Sequence, residues 1–283
     1  MAKEMIIAQE LAKKQREISV SEFFTKNRHL LGFDNPTRAL LMTVKEAVDN
    51  SLDACTEAKI LPEIKVEIKK LAEDRFKVIV EDNGPGIVKE QIPRIFAKLL
   101  YGSKFHRIKM NRGQQGIGIS ASVLYSQLTT GKASVIISKI HKNKPAHYYE
   151  LKIDTAKNEP LILKDEIKEW NKEHGTRIEI ELEAKYQKGR QSVDEFIKGV
   201  AIVNPQAKIV YITPENENMV FDRATEELPI EAKEIMPHPY GIELGTLIKM
   251  LAETSARTLQ GFLTTDFCRI GPGTAKEMCD KAG

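Results

Sequence analysis

The 283-residue chain is poor in cysteine, has a single tryptophan and contains no long apolar run. Cys55, Cys268 and Cys279 form no C-x-x-C pair and leave one thiol over. That excludes a disulfide framework and points to reduced thiols in a cytoplasmic protein. No stretch approaches the ~20 apolar residues that a membrane-spanning helix requires. Met1-Ala2-Lys3-Glu4-Met5-Ile6-Ile7 lacks the apolar segment of a signal peptide. Charge of one sign is missing too. The 43 Lys and Arg stand against 40 Asp and Glu, so bulk charge announces no nucleic-acid partner. No two of the six histidines stand at metal-ligand spacing. Trp170 and the methionines read as packing residues.

What is present suits a globular chain with a core of normal size: 41% hydrophobic and 29% charged residues. Residues 3–17 are charged and fit a peripheral helix or an arm. Asn35-Pro36 supplies a cap and a first-turn proline for a helix running to about Lys59. Its stripe of Leu41, Val44, Val48 and Leu52 has the period of a core face. Strands are expected at 64–68 and 76–80, the second ending in the turn Asp82-Asn83-Gly84-Pro85-Gly86. A helix at about 89–100 leads to a polar loop at 103–112. The run from Gly113 to Gly118 opens a further helix through Gln127. Strands near 133–141, 146–153 and 176–183, a helix at 191–203 and a last strand pair within 207–222 follow. Helices and strands mix without strict alternation, which predicts an α+β fold: one mixed sheet with helices on one face. Pro229, Pro237 and Pro239 mark a boundary, beyond which the chain turns helical. The expected parts are an arm at 1–30, a main domain at 31–228 and a small helical domain at 229–283.

Three elements carry oxygen or glycine in telling places. Glu46, Asn50 and Asp53 stand at i, i+4 and i+7, one stripe of a helix, which lines a cavity or is simply solvated. Asp82 ends a strand with glycines two and four residues on. There a carboxylate can accept a hydrogen bond from an amino group such as adenine's; a tight turn explains the same residues. Gly113 to Gly118 leads into Ile119-Ser120-Ala121, a glycine-rich helix start able to hold an anion, with Lys104 upstream; loop punctuation is the plain alternative. No G-x-x-x-x-G-K-[ST] occurs, which excludes a P-loop. Gly116-x-Gly118-x-x-Ala121 matches a dinucleotide fingerprint, but Arg107 to Arg112 is no strand, so the context fails.

The order of E-x-x-x-N-S-x-D-A at Glu46 to Ala54, D-N-G-P-G at Asp82 to Gly86, G-x-x-G-x-G at Gly113 to Gly118 and Gly175-Thr176 resembles the GHKL ATPases. Within that family the chain is similar to one branch, the B subunits of archaeal type IIB DNA topoisomerases. The similarity lies at Ser21-Glu22-Phe23-Phe24, Gly32-Phe33-Asp34-Asn35-Pro36, Leu100 to Lys104, Val123 to Gln127 and His238-Pro239-Tyr240-Gly241. The resemblance implies a GHKL (Bergerat) fold followed by an incomplete helix-two-turns-helix domain. It also implies ATP and Mg²⁺ as cofactors. Glu46 would be the general base, and Asn50 the Mg²⁺ ligand. Asp82 would read adenine, Thr176 would support Asp82 and the base from a neighbouring strand, and Gly86 would belong to the same nucleotide-binding set. Ser103, Lys104 and Gln114, Gln115, Gly116, Ile117, Gly118, Ile119, Ser120 and Ala121 would wrap the phosphates as a lid.

The implied partners are a second B copy, the topoisomerase VI A subunit in a heterotetramer, and double-stranded DNA. The alternative is a GHKL nucleotide-sensing module, chaperone-like or kinase-like. The branch carries a transducer domain whose lysine reaches the γ-phosphate; the chain stops at Gly283, so this chain by itself is expected to bind ATP but hydrolyse it poorly. Candidate DNA contacts are the loop with Lys185, Lys188 and Arg190, and the turn Ile270 to Ala275.

Overall fold

The computed structural model describes residues 17–102, 117–230 and 236–282. The described chain divides into two compact units, residues 17–102 with 117–230, and residues 236–282.

The first unit opens with helix α1, Val20–Lys26, whose N-cap Ser19 accepts from the Glu22 N–H. Ser19 and Ser21 hydroxyls both donate to the Thr155 carbonyl, so residues 19–26 of the expected arm lie pinned to this unit. Residues 1–16 lie outside the described residues. Helix α2, Pro36–Glu57, starts where sequence chemistry places it. Asn35 is extended, its side chain accepts from the Arg38 N–H at 2.8 Å, and Pro36 sits where no N–H is needed. Leu40, Val44, Ala47, Val48, Leu52 and Cys55 form its buried face; Leu41, expected there, is only partly buried.

The strands are β1 Glu63–Lys70, β2 Arg75–Asp82, β3 Ser134–Lys139, β4 Ala146–Asp154, β5 Glu159–Lys168, β6 Gly175–Glu183, β7 Lys208–Ile212 and β8 Asn218–Phe221. They make one sheet in the order β5-β4-β3-β6-β2-β1-β7-β8. Every neighbouring pair is antiparallel except β1 with β7, which makes the sheet mixed. Helices α2, α3 (Ile92–Ala97), α4 (Gly118–Thr130) and α5 (Val193–Val203) pack on this sheet. Strands such as β1 and β6 alternate buried and half-exposed residues. Their polar face carries ion pairs, among them Lys77 with Glu179 and Arg75 with Glu181. The α+β expectation, one mixed sheet with helices on one side, is what the structure has.

Two local expectations change. The helix expected at 89–100 is a 3₁₀ turn at Lys89–Gln91 followed by the short α3. Strand β5 was not foreseen, because it lies at the sheet edge with nearly every residue exposed and shows little apolar alternation.

The second unit holds α6 (Leu244–Glu253), α7 (Leu259–Thr265) and α8 (Pro272–Ala282) around Phe262, Leu263, Phe267 and Ala275. Thr258 caps α7 by accepting from the Gly261 N–H.

Candidate nucleotide-binding site

Helix α2 turns a second face toward a cavity of roughly 940 Å³, lined along that face by Arg38, Met42, Glu46, Asn50, Asp53 and Glu57. These residues recur every three or four positions, so a single helix buries one stripe in the core and presents the other to the cavity. The sheet supplies the floor. Asp82 at the end of β2 and Thr176 near the start of β6 line the cavity beside Glu46 and Asn50.

Asp82 is nearly fully buried and is held from three sides. Ser51 Oγ donates to its Oδ2 at 2.8 Å, and the N–H groups of Gly84 and Thr176 donate to its Oδ1 at 2.9 and 3.0 Å. Burial pushes the Asp82 carboxyl above its ordinary value, against the pull of those donors and of Lys172. Ser51 follows directly after Asn50 in the motif, but its duty is visible only once β2 lies against α2. Three further residues of the same kind were not singled out in the sequence. The His174 ring stands 2.8 Å from the Gly84 carbonyl, so its Nδ1 carries the proton and donates. Lys172 pairs with Glu81 at 2.9 Å, and Ser138 Oγ donates to the Gly175 carbonyl at 3.2 Å. No spacing rule links residues 172–176 to residues 81–84; antiparallel pairing of β2 with β6 does.

A Cβ would meet a close contact at two of the expected positions, backbone at Gly86 and a side chain at Gly118. Gly86 has φ +71°, and a Cβ there would collide with the Lys139 carbonyl. Gly118 opens α4 directly against the Glu46 carboxylate, where a Cβ would overlap Glu46 Oε2. The helix N-terminus, rich in unpaired N–H groups, is thereby brought into the cavity wall. Cys55 packs beneath Gly84, and burial together with the Asp82 charge pushes its thiol up to about 12, so it stays protonated.

Of the residues expected from sequence, Glu46, Asn50, Asp82, Gly86, Ile117, Gly118, Ile119, Ala121 and Thr176 line this one cavity. Ser120 does not: its side chain is buried and donates to the Ile117 carbonyl. Ser103, Lys104, Gln114, Gln115 and Gly116 lie outside the described residues. Among the described residues no cluster of three or more His, Cys, Asp or Glu could hold a metal ion. The oxygen donors of that face, the Asn50 amide beside the carboxylates of Glu46, Asp53 and Glu57, are of the kind a Mg²⁺ ion takes.

The described parts of the ordered motifs converge on a helix-and-sheet cavity lined by a buried aspartate and by a helix N-terminus. Residues 35–186 match the model of the histidine kinase-, DNA gyrase B- and HSP90-like ATPases, and the chain belongs to that family. Among curated proteins it is 61% identical over 278 residues to the B subunit of type 2 DNA topoisomerase 6 from Methanococcoides burtonii. Its counterpart from Archaeoglobus fulgidus is 52% identical over 274 residues. These alignments take in 98% and 96% of this chain, which spans 45% of the length of each relative. A solved topoisomerase IV ATP-binding domain from Francisella tularensis aligns at 17% identity and TM-score 0.48, over 72% of this chain and 96% of that one.

Proposed function

We propose that the cavity binds Mg·ATP and that the chain is the nucleotide-operated part of a type IIB DNA topoisomerase B subunit. The observation that carries this is convergence. Glu46 and Asn50 on α2, Asp82 on β2, Thr176 on β6 and Gly118 on α4 meet around one space of nucleotide size. Relatives carrying that name, more than half identical along nearly all of this chain, support the wider reading.

In this reading Asp82 accepts a hydrogen bond from the adenine amino group through lone pairs left by its three internal donors. Thr176 holds Asp82 in place, and Gly86 lets the turn approach the base. Asn50 would hold Mg²⁺ through its side-chain oxygen, and the ion would supply positive charge against that of the phosphates. Glu46 orients the attacking water and accepts its proton. Ile117, Gly118 and Ile119 present backbone N–H groups to phosphate, the Ala121 N–H being already bonded to the Ile117 carbonyl at 2.7 Å, with Ser103, Lys104, Gln114, Gln115 and Gly116 completing the cover. Residues 1–30 form the arm, 31–228 the ATPase domain and 229–283 part of a helix-two-turns-helix domain. ATP binding closes a dimer of B subunits, and the A subunit cleaves the double-stranded DNA that passes the gate.

The test is Mg·ATP affinity by calorimetry. Asp82→Asn replaces an ionised acceptor, and the loss of about 1.5–3 kcal/mol expected for a charge-assisted hydrogen bond weakens binding roughly 10- to 150-fold. Equal affinity of the two proteins would remove Asp82 from the base site.

A further inference from the structure

Of the three cations in the loop expected to touch nucleic acid, one is ion-paired in the folded protein. Lys188 Nζ lies 2.6 Å from Glu215 and 3.6 Å from Glu217. A different set of cations, dispersed in sequence, is gathered by the sheet. β3 ends at Lys139 and β4 begins at Ala146, and the connection between them carries Lys142 and Lys144, both exposed. The β4–β5 register sets Ala146 opposite Lys168, the last residue of β5. The hairpin turn therefore stands beside the end of the edge strand. Lys139, Lys144 and Lys168 line one open cleft of roughly 670 Å³, with Trp170 as an aromatic wall.

The cleft is held in shape by interactions that leave its charge unspent. Lys139 Nζ donates to the Trp170 carbonyl at 3.4 Å, and Lys168 Nζ stands 5.0 Å from the centre of the Tyr148 ring. Among the described residues, Lys139, Lys142, Lys144 and Lys168 have no carboxylate within ion-pairing distance; Glu169 is the acidic residue in the cleft lining. Lys172, by contrast, stands 5.9 Å from the Trp170 ring centre but is already committed to Glu81. Trp170, expected as a packing residue, is instead half-exposed at this cleft and outside the core.

We propose that this cleft is a contact site for the phosphate backbone of duplex DNA. Lysines are point charges on long apolar stems, able to follow phosphates without reading bases. Several unpaired cations along a strand edge fit a repeating anion better than a single small one. The choice of DNA over an acidic protein segment rests on the topoisomerase reading above.

The experiment measures binding of a fluorescent duplex to the 283-residue chain across a salt series. The Lys139→Ala/Lys144→Ala/Lys168→Ala variant is compared with the unsubstituted chain and with a triple Lys→Arg variant. Each lysine–phosphate pairing removed lowers the slope of log K against log salt by about 0.9, so three lower it by roughly 2–3. Affinity at about 50 mM salt falls on the order of tenfold or more, and the arginine variant retains both slope and affinity. Mg·ATP affinity and melting temperature, read on the same proteins, stay unchanged and exclude misfolding. Superimposable salt series for the alanine variant and the unsubstituted chain overturn the proposal. Loss of binding to polyglutamate but not to DNA overturns it as well, assigning the cleft to acidic protein. If the unsubstituted chain binds no duplex at all, the cleft and the DNA partner both fall, while intact Mg·ATP binding leaves the nucleotide site standing.

Discussion

A buried carboxylate has to be satisfied, and Asp82 shows how much of a site can hang on that need. Its three internal donors come from three elements: Ser51 on α2, Gly84 in the turn and Thr176 on β6. Ser51→Ala removes one donor where water has little access. We expect a loss of about 1–3 kcal/mol of stability, read by urea denaturation. The raised Asp82 value also fixes a pH dependence. Between the ordinary carboxylate value and the folded one, the native state binds the proton more tightly than the unfolded chain does. The group's contribution to stability therefore grows as pH falls through that window and is lost as pH rises through it. Purine reading needs the ionised form and runs the other way. Mg·ATP affinity is expected to drop on acidification at a pH above that of an ordinary carboxylate, and Asp82→Asn abolishes this step. A calorimetric titration that shows the same step in both proteins would count against Asp82.

At the scale of elements, the site depends on how closely α4 approaches α2. Gly118 permits that approach, because any Cβ would overlap the Glu46 carboxylate. Gly118→Ala is expected to push the start of α4 away from Glu46, or to force Glu46 out of its position. Either movement disturbs the site without emptying the core, so Mg·ATP hydrolysis and affinity should fall about tenfold or more, with a melting shift of only a few degrees. A variant with full nucleotide affinity would show that the close approach is incidental. Helix α2 itself was legible almost to the residue, since Asn35, Pro36 and a heptad-like apolar stripe are local signals. Strand β5 was not, because an exposed edge strand is defined by its partner β4 rather than by its own pattern.

For the whole molecule, the cavity draws its described lining entirely from the first compact unit. A chain shortened to residues 1–230 is accordingly expected to fold and to bind Mg·ATP with affinity within a few-fold of the 283-residue chain. Calorimetry on the two proteins checks this, and a loss of binding in the shorter one would place part of the site in residues 231–283. The family likewise follows from the first unit, since the matched residues, 35–186, lie within its span of the sequence.

By itself the sequence determined the α+β class, the start of α2, the stripe of Glu46, Asn50 and Asp53, and the order of the glycine-bearing motifs. Each of these is written in short spacings that a helix or a turn reads locally. Tertiary structure alone decided that Ser51 and Gly84 hold Asp82 alongside the Thr176 implied by the resemblance, how closely Gly118 meets Glu46, and which lysines have a carboxylate partner. Ser51, His174 and Thr176 reach the end of β2 only because strand pairing and helix packing close distances of up to ninety-four residues. Lys188 is paired with Glu215, and Lys139, Lys144 and Lys168 are brought to one cleft, by parts of the chain distant in sequence. Non-local pairing leaves no period in a sequence, and a charge's worth depends on the neighbours that the fold assigns to it.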